Sequence, residues 1–268
     1  MSHEHQIQKA LNVLVYAFLI TASVMSFSGN DSLEDIFNSF ETYFDPAPWV
    51  FSVWTVIYFL FGGFVIYQWF DQAHESALHG VSWHFVLSAI LNTLWFSLLE
   101  GEHKLLALLV SILQVFSVSF VFYKLESEFP ANNWWDRLFL HAPFSLWHGW
   151  SVFIAVVTAF VTFTGVKKTE DGTILPPSIL HIVLFYAGIG FLVFTAIGYV
   201  EFKGDKGDLT SAWVISFGLW SIFAEQPFVT THWGALAAAL VTTLWPAKPY
   251  ILRALGRSSS SENAPLLG

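Results

Sequence analysis

The sequence predicts an all-α fold: a polytopic transmembrane helix bundle of about eight spans, with the N-terminus and the C-terminus cytoplasmic. The first observation is composition, because 55% of the 268 residues are hydrophobic and only 12% are charged, against about 45–50% and about 25% in a soluble domain. The second is clustering, because the apolar residues form blocks long enough to cross a hydrocarbon layer about 30 Å thick. In lipid every backbone amide must be paired internally, so each block is expected to be a helix.

The apolar blocks give the predicted spans in chain order. The fifth block is long and is expected to begin as an interfacial segment at Trp134 and Trp135. The seventh is short and reaches only about 21 Å at about 1.5 Å per residue. The predicted spans are 10–27, 49–70, 83–99, 105–123, 138–163, 179–199, 211–224 and 232–245.

The positions of lysine and arginine predict the orientation, since cytoplasmic loops carry an excess of these residues. With the N-terminus inside, eight positive residues fall on the cytoplasmic side and three on the far side. The eight are Lys9, Lys124, Arg137, Lys203, Lys206, Lys248, Arg253 and Arg257, and the three are Lys104, Lys167 and Lys168.

The first exterior loop predicts a short amphipathic helix over residues 31–44, with a start at Ser32 and Asp35 that resembles a capping box. Two interpretations stay open, a lid over a cavity and a spacer lying on the membrane surface. The apolar residues at helical spacing are Leu33, Ile36, Phe37, Phe40, Tyr43 and Phe44.

The C-terminal residues 251–268 predict a disordered, serine-rich cytoplasmic tail. Within it, residues 262–267 read Glu-Asn-Ala-Pro-Leu-Leu and resemble the acidic dileucine signal that cytosolic sorting adaptors bind. We therefore expect an integral protein of a eukaryotic endomembrane, such as the vacuole, lysosome, endosome or endoplasmic reticulum. A glycosylation acceptor at Asn30 falls in the predicted exterior loop.

Several classes of chemistry are not supported by the residues present. The net charge of −9 disfavours nucleic acid as a partner, and the absence of cysteine removes thiolate sites. Every lysine lies in a loop or at a span end, so a buried Schiff base is not expected. Hydrolase, zinc-protease and phosphate-loop motifs are missing. We expect a protein that is not an enzyme, with no catalytic residues, no metal site and no cofactor.

Histidines and one acid in or near the spans leave alternatives open. The histidines could ligate haem or a metal, or could form interfacial hydrogen bonds. Glu225 could be a functional intramembrane acid, or it could lie in a tight exterior turn before Pro227. The histidines concerned are His84, His141, His148, His181 and His232.

The chain is rich in tryptophan, and five of its 13 tryptophans are predicted to lie away from the membrane interfaces. A deep indole N–H needs a partner or a cavity. Such rings would line a ligand pocket, or would serve helix packing alone. The five are Trp54, Trp95, Trp147, Trp150 and Trp220.

Three segments resemble the TspO/MBR family of tryptophan-rich sensory proteins. Residues 49–58 (WVFSVWTVIY) are similar to the second-helix signature, 91–95 (LNTLW) to the third-helix motif, and 143–147 (PFSLW) to the fifth-helix motif. This chain has only Ser52 where the family has Gly-Pro, one residue fewer. The resemblance covers about residues 8–165, and the last three spans have no counterpart in the five-helix members.

The resemblance implies a five-helix bundle over residues 1–165, three additional helices over 166–250, and a cavity under the loop 31–44 that would act as its lid. Such a cavity binds porphyrins, sterols or similar apolar ligands. Asn92 would be a polar anchor and Pro143 a break in its helix. The ligand-binding residues by matching position are Trp49, Trp54, Tyr58, Asn92, Trp95, Pro143 and Trp147.

The predicted function is therefore the binding of a hydrophobic or planar ligand in a Trp-lined intramembrane cavity, as a sensor or a carrier. The alternative is a proton-coupled secondary transporter that uses Glu225 and the intramembrane histidines. A third hypothesis is an assembly subunit that binds no ligand. The expected partners are membrane lipid, a small hydrophobic ligand and a second copy of the chain.

Overall fold

Long helices dominate the architecture. The computed structural model describes residues 3–28, 39–201 and 208–254, and within these ranges the chain forms helices and no β-strand. Each predicted apolar block overlaps one of the long helices, so the all-α fold is confirmed. The helices are α1 (His3–Ser28), α2 (Val53–Tyr67), α3 (His84–Glu100), α4 (Lys104–Glu128), α5 (Ala142–Phe163), α6 (Ile179–Glu201), α7 (Leu209–Glu225) and α8 (Val229–Ala254).

A subset of these helices is long and apolar enough to cross a membrane. Among the described residues there are five such helical segments, or six if the pair Asp71–Val81 and His84–Glu100, bent by 59°, forms one span. Helix α7 is apolar but shorter. The structure thus supports a helical membrane bundle, while eight spans and cytoplasmic termini stay predictions. The five are His3–Val24, Pro48–Tyr67, Lys104–Glu128, Trp134–Phe163 and Ile179–Glu201.

Helix α5 does not begin abruptly. A single helical turn, Trp134–Asp136, is capped by the Asn133 side chain, which accepts from the Asp136 backbone N–H at 3.0 Å. A π-helical turn, Arg137–His141, then leads into α5. Trp134 and Trp135 are exposed, as expected for a segment at the membrane interface.

Three loops meet at one end of the bundle and form what we call the loop layer, residues 39–48, 164–175 and 225–228. The Val166 backbone N–H donates to the Glu41 carbonyl at 3.0 Å, and the Tyr43 hydroxyl donates to the Leu175 carbonyl at 2.8 Å. The Ala47 backbone N–H donates to the Ser221 carbonyl near the end of α7. The loop layer therefore ties the first loop to the later helices.

The described part of the predicted loop helix differs from the expectation. Residues 41–44 are not helical, and Tyr43 and Phe44 are buried instead of lying on a membrane surface. The Phe44 ring stacks on Phe160 of α5 at a centroid distance of 4.1 Å. Residues 31–38, Asn30 and the tail motif 262–267 lie outside the described residues.

Helices α5 and α7 approach closely through glycine. A Cβ on Gly149 would lie 2.7 Å from the Ser211 carbonyl oxygen, and a Cβ on Gly218 would lie 2.4 Å from the Phe153 ring. Small residues allow helix backbones to pack at short range in a membrane. Helix α7 therefore packs directly on α5.

Candidate ligand site

A small polar cavity lies inside the bundle, between α2, α3, α4 and α5. Its volume is about 10 Å³, which is about the space that one water molecule needs. Four helices contribute to its wall, so its shape depends on their packing. It is lined by Trp54, Asn92, Trp95, Ser111, Gln114, Trp150, Ser151 and Ile154.

Two tryptophans from different helices meet at this cavity. The Trp54 ring lies edge-on against the Trp150 ring at 5.7 Å, and it stacks on Tyr58 at 5.4 Å. Trp54 and Tyr58 are four residues apart on α2 and so share one face of that helix. The Tyr58 side chain hydrogen-bonds with Asn92 and with Ser23 of α1. These contacts fix both rings in the bundle interior.

The polar atoms at the cavity are only partly paired. The Trp95 indole N–H donates to the Thr158 hydroxyl at 3.1 Å. In contrast, the indole Nε1 atoms of Trp54 and Trp150 and both amide atoms of Gln114 are buried with no hydrogen-bond partner among the described residues. A buried polar group without a partner costs roughly 1–3 kcal/mol. Several hydrogen-bond donors and acceptors of the residues around this cavity are therefore unpaired among the described residues.

A comparison with known families now bears on this site. The family model described as TSPO-like protein matches residues 9–245. The chain belongs to the TSPO-like family. The match extends beyond residues 8–165, so the three additional helices fall within the matched region. No curated protein and no solved structure matches the chain significantly.

In this TSPO-like protein, several residues predicted from sequence come together. Trp54, Asn92 and Trp95 line the cavity, and Tyr58 contacts the first two of them. These residues lie on α2 and α3, within the two motifs at residues 49–58 and 91–95.

Other predicted site residues lie elsewhere. Trp49 is 44% exposed and packs edge-on against Phe217 of α7 at 4.8 Å, on the outside of the bundle. Trp147 is buried in an aromatic cluster, with its ring 4.9 Å from that of Phe61. Pro143 lies in the first turn of α5, directly after the π-helical turn. None of the three is among the residues that line the cavity.

The sequence motifs did not point to Gln114, Ser111 or Ser151, and Trp150 was marked only as a deep tryptophan. One signal was present for Gln114. It is an amide in the middle of the apolar stretch 105–123, and polar groups inside membrane spans are costly and often functional. Ser111 precedes it by three residues and so shares its helical face.

Two of the histidines named from sequence, His141 and His148, are held by hydrogen bonds to neighbouring protein groups. Both ring nitrogens of His148 are paired, with the Ser119 hydroxyl at 2.7 Å and the Tyr199 hydroxyl at 2.8 Å. His141 pairs with the Glu126 carboxylate and with a backbone carbonyl, both at 3.0 Å. Over the described ranges, no three potential ligands converge in metal-binding geometry.

Glu225, the acid named for the transporter alternative, is the last residue of α7 and is exposed in the loop layer. The His232 Nδ1–H donates to the Gln226 carbonyl at 3.0 Å, because a carbonyl oxygen can only accept. The proton-coupled transporter stays a prediction.

Proposed function

We propose that this membrane protein of the TSPO-like family binds an apolar ligand inside the bundle of α2 to α5, as a sensor or a carrier. One observation carries the proposal. Trp54, Trp150 and Gln114 line one cavity, and their indole N–H groups and amide have no hydrogen-bond partners in the described chain. Buried polar groups in native proteins are nearly always hydrogen-bonded, so an unpaired set calls for a bound group.

The unpaired atoms define the chemistry of the ligand. Two indole N–H groups can only donate, whereas the Gln114 amide can donate and accept. A hydroxyl or carboxyl oxygen on a mainly apolar molecule satisfies this set. Indole faces favour flat, apolar ring systems. A porphyrin, a sterol or a similar molecule meets both requirements.

The size of the cavity sets a condition on binding. A space of about 10 Å³ admits a polar atom but not the body of such a ligand, since ligand pockets usually measure about 300–1,000 Å³. The bound state therefore requires the side chains that line the cavity to move apart. A pocket that opens in this way is a minor conformation that the ligand stabilises, and the cost of opening weakens the affinity.

The test is tryptophan fluorescence quenching of the detergent-solubilised protein by protoporphyrin and by a fluorescent sterol analogue. We expect saturable quenching, and a dissociation constant roughly tenfold higher in Gln114→Leu, because one hydrogen-bonding group worth about 1.4 kcal/mol is lost. Trp49→Phe is the matched control, since Trp49 lies outside the cavity. Absence of saturable quenching, or an unchanged constant in Gln114→Leu, contradicts the proposal.

Two finer expectations belong to the same proposal. The protein is expected in a eukaryotic endomembrane, which fluorescence microscopy of the tagged chain tests by comparison with Leu266→Ala and Leu267→Ala. It is also expected to form a homodimer, which mass photometry in detergent tests. A plasma-membrane location or a monomer at all concentrations contradicts the respective expectation.

A further inference from the structure

The loop layer contains a second cavity, larger than the one between the tryptophans and separate from it in sequence and in lining. Its volume is about 300 Å³, at the lower end of the range typical of small-molecule sites. Exposed residues at its rim, Pro48, Glu225 and Pro227, open it to the outside of the bundle. It is lined by Glu41, Thr42, Tyr43, Asp45, Pro46, Pro48, Val166, Ile174, Glu225, Gln226, Pro227 and Phe228.

The cavity carries an excess of negative charge. Glu41 is neutralised by an ion pair with Lys168. Asp45 accepts from the Thr42 backbone N–H at 2.9 Å and from the Thr42 hydroxyl at 2.6 Å. Within the described chain, neither Asp45 nor Glu225 forms an ion pair with a basic residue. Two carboxylates at the cavity are therefore left without a counter-charge.

The pKa of Asp45 is consistent with this excess of negative charge at the cavity. Burial raises the pKa of the Asp45 carboxyl to about 6, and the nearby Glu41 and Glu225 carboxylates add to the rise, while the Thr42 hydrogen bonds oppose it. A raised pKa of a carboxyl means that its ionised form lacks enough stabilising partners. A bound cation would supply the missing partner.

An independent observation points to a donor group on the ligand. Gln226 is 6% exposed, and its side-chain Oε1 has no hydrogen-bond partner among the residues described. Its backbone is fixed by the end of α7, because its N–H donates to the Ile222 carbonyl at 3.1 Å. A buried amide oxygen on a residue that lines a cavity, with no partner among the described residues, invites an N–H or O–H group.

The remaining wall is aromatic and apolar. Tyr43 and Phe228 line the cavity with ring centroids 6.0 Å apart, and three prolines complete the wall. The Tyr43 hydroxyl is already used by the Leu175 carbonyl, so its ring is the part left for a ligand. Aromatic faces attract organic cations through the ring quadrupole.

We infer that this cavity binds a small organic ammonium ion, with its charge near Asp45 and Glu225, an ammonium N–H donating to Gln226 Oε1, and its carbon skeleton against Tyr43 and Phe228. A metal ion fits less well, because no three His, Cys, Asp or Glu groups of the described residues converge in metal-binding geometry. This inference goes beyond the proposed ligand site between the tryptophans and does not depend on it.

The test is isothermal titration calorimetry of the full chain in detergent at pH 7.5 with benzylamine. We expect saturable binding of benzylamine and no binding of benzyl alcohol, which has the same ring without the charge. Tetraethylammonium is expected to bind roughly tenfold more weakly than benzylamine, because it has no N–H to donate to Gln226. Binding of benzyl alcohol as tight as that of benzylamine overturns the inference.

Two substitutions locate the binding in this cavity. Glu225→Gln and Gln226→Leu are each expected to weaken benzylamine binding roughly tenfold. Asp45→Asn would also alter the contact with Thr42. The role of the negative charge in binding is therefore tested at the exposed Glu225. Glu75→Gln is the control, because Glu75 is an exposed acid outside the loop layer that pairs with His79. Benzylamine affinity that is unchanged in both cavity variants overturns the inference, as does displacement of benzylamine by calcium chloride at equal concentration.

The pH dependence gives a further check. Between pH 7.5 and pH 5 benzylamine affinity is expected to fall, because protonation of Asp45 removes one of the two unpaired charges. Protonation of any other acid or histidine near the cavity acts in the same direction. Affinity that rises as the pH falls contradicts the inference. The other charged or titratable groups at or beside the cavity are Glu41, Glu225, Lys167, Lys168, His181 and His232.

Discussion

The Trp54 and Trp150 rings lie edge to face with their centroids 5.7 Å apart, and the Nε1 atoms of both are buried without a partner among the described residues. Each ring is at least nine-tenths buried, so neither indole reaches water or lipid headgroups. Two donors that the protein brings together and leaves unused are unusual in a native interior. They make this contact the centre of the proposed ligand site.

The unpaired amide of Gln114 leads to a prediction about stability. Gln114→Leu is expected to raise the free energy of unfolding by roughly 1–3 kcal/mol, because it removes a buried amide that has no partner. The measurement is thermal or denaturant-induced unfolding in detergent.

Gln68→Leu is the matched control for that substitution. The Gln68 amide is buried and fully used, accepting from Asn12 at 2.9 Å and donating to the Val65 carbonyl at 2.9 Å. Its loss is expected to destabilise the protein. If Gln114→Leu destabilises as much as Gln68→Leu, the amide of Gln114 is paired in the protein and the prediction is wrong.

Close packing of α5 on α7 predicts a strong effect at Gly149. Gly149→Ala places a Cβ 2.7 Å from the Ser211 carbonyl oxygen, a backbone atom that cannot rotate away. We expect a loss of roughly 1–3 kcal/mol in unfolding free energy, as for overpacked cores. Gly198→Ala is the control, because nothing lies within 4 Å of its added Cβ. Equal effects at the two positions would show that α5 and α7 are not in close contact.

The junction between α2 and the start of the α5 segment depends on one hydroxyl. The Tyr67 hydroxyl donates to the Asp136 carboxylate at 2.7 Å, and Asp136 is only 5% exposed. Tyr67→Phe is expected to cost roughly 1–3 kcal/mol, since hydrogen bonds to charged groups are the stronger ones. Tyr186→Phe, which removes an exposed hydrogen bond to the Thr230 carbonyl, is expected to cost less. Unfolding in detergent measures both, and a larger loss in Tyr186→Phe contradicts the prediction.

The loop layer predicts a pH dependence of stability. The pKa of Asp45 is about 6 in the folded protein, above the ordinary value of 3.8, chiefly because of burial. The folded state therefore binds more protons than the unfolded state between about pH 4 and pH 6, so stability rises as the pH falls through this window and is lower above it. The size of the gain is on the order of 3 kcal/mol, since one pKa unit corresponds to about 1.4 kcal/mol.

The comparison of the wild type with Asp45→Asn isolates this group. The variant lacks the titrating carboxyl, whereas the other groups titrate in both proteins. The difference in unfolding free energy between the two, measured at pH 7.5 and at pH 4.5, is expected to shift in favour of the wild type at the lower pH. A difference that does not depend on pH would contradict the raised pKa.

The helices could be predicted because each is encoded by a local property of the chain. The apolar block 105–123 lies inside α4, since length and hydropathy alone demand a paired backbone in lipid. The start of the fifth span at Trp134 and Trp135 was predicted, but the sequence did not show that this turn is held by the Asn133 cap and by contact with Tyr67. Such a boundary depends on a partner 69 positions away in the chain.

The residues that line the two cavities also divide into those marked by local sequence and those brought together only by tertiary packing. Short motifs mark Trp54, Asn92 and Trp95, which line the first cavity, whereas Gln114 and Trp150 join them only through the packing of α4 and α5 against α3 and α2. Likewise, no local pattern pairs Tyr43 with Leu175, which are 132 residues apart. The second cavity, which lies between those loops, was therefore absent from the sequence-based predictions.

The sequence alone determined that this chain is helical, that lipid is its solvent and that it carries the tryptophan motifs of its family, because these properties depend on composition and on spacing of a few residues. The tertiary structure decided which polar atoms remain unpaired and which carboxylates share a cavity. That outcome depends on how helices and loops that are distant in sequence pack together. If one of these helices were rotated to present another face, the same polar side chains would find partners or become exposed.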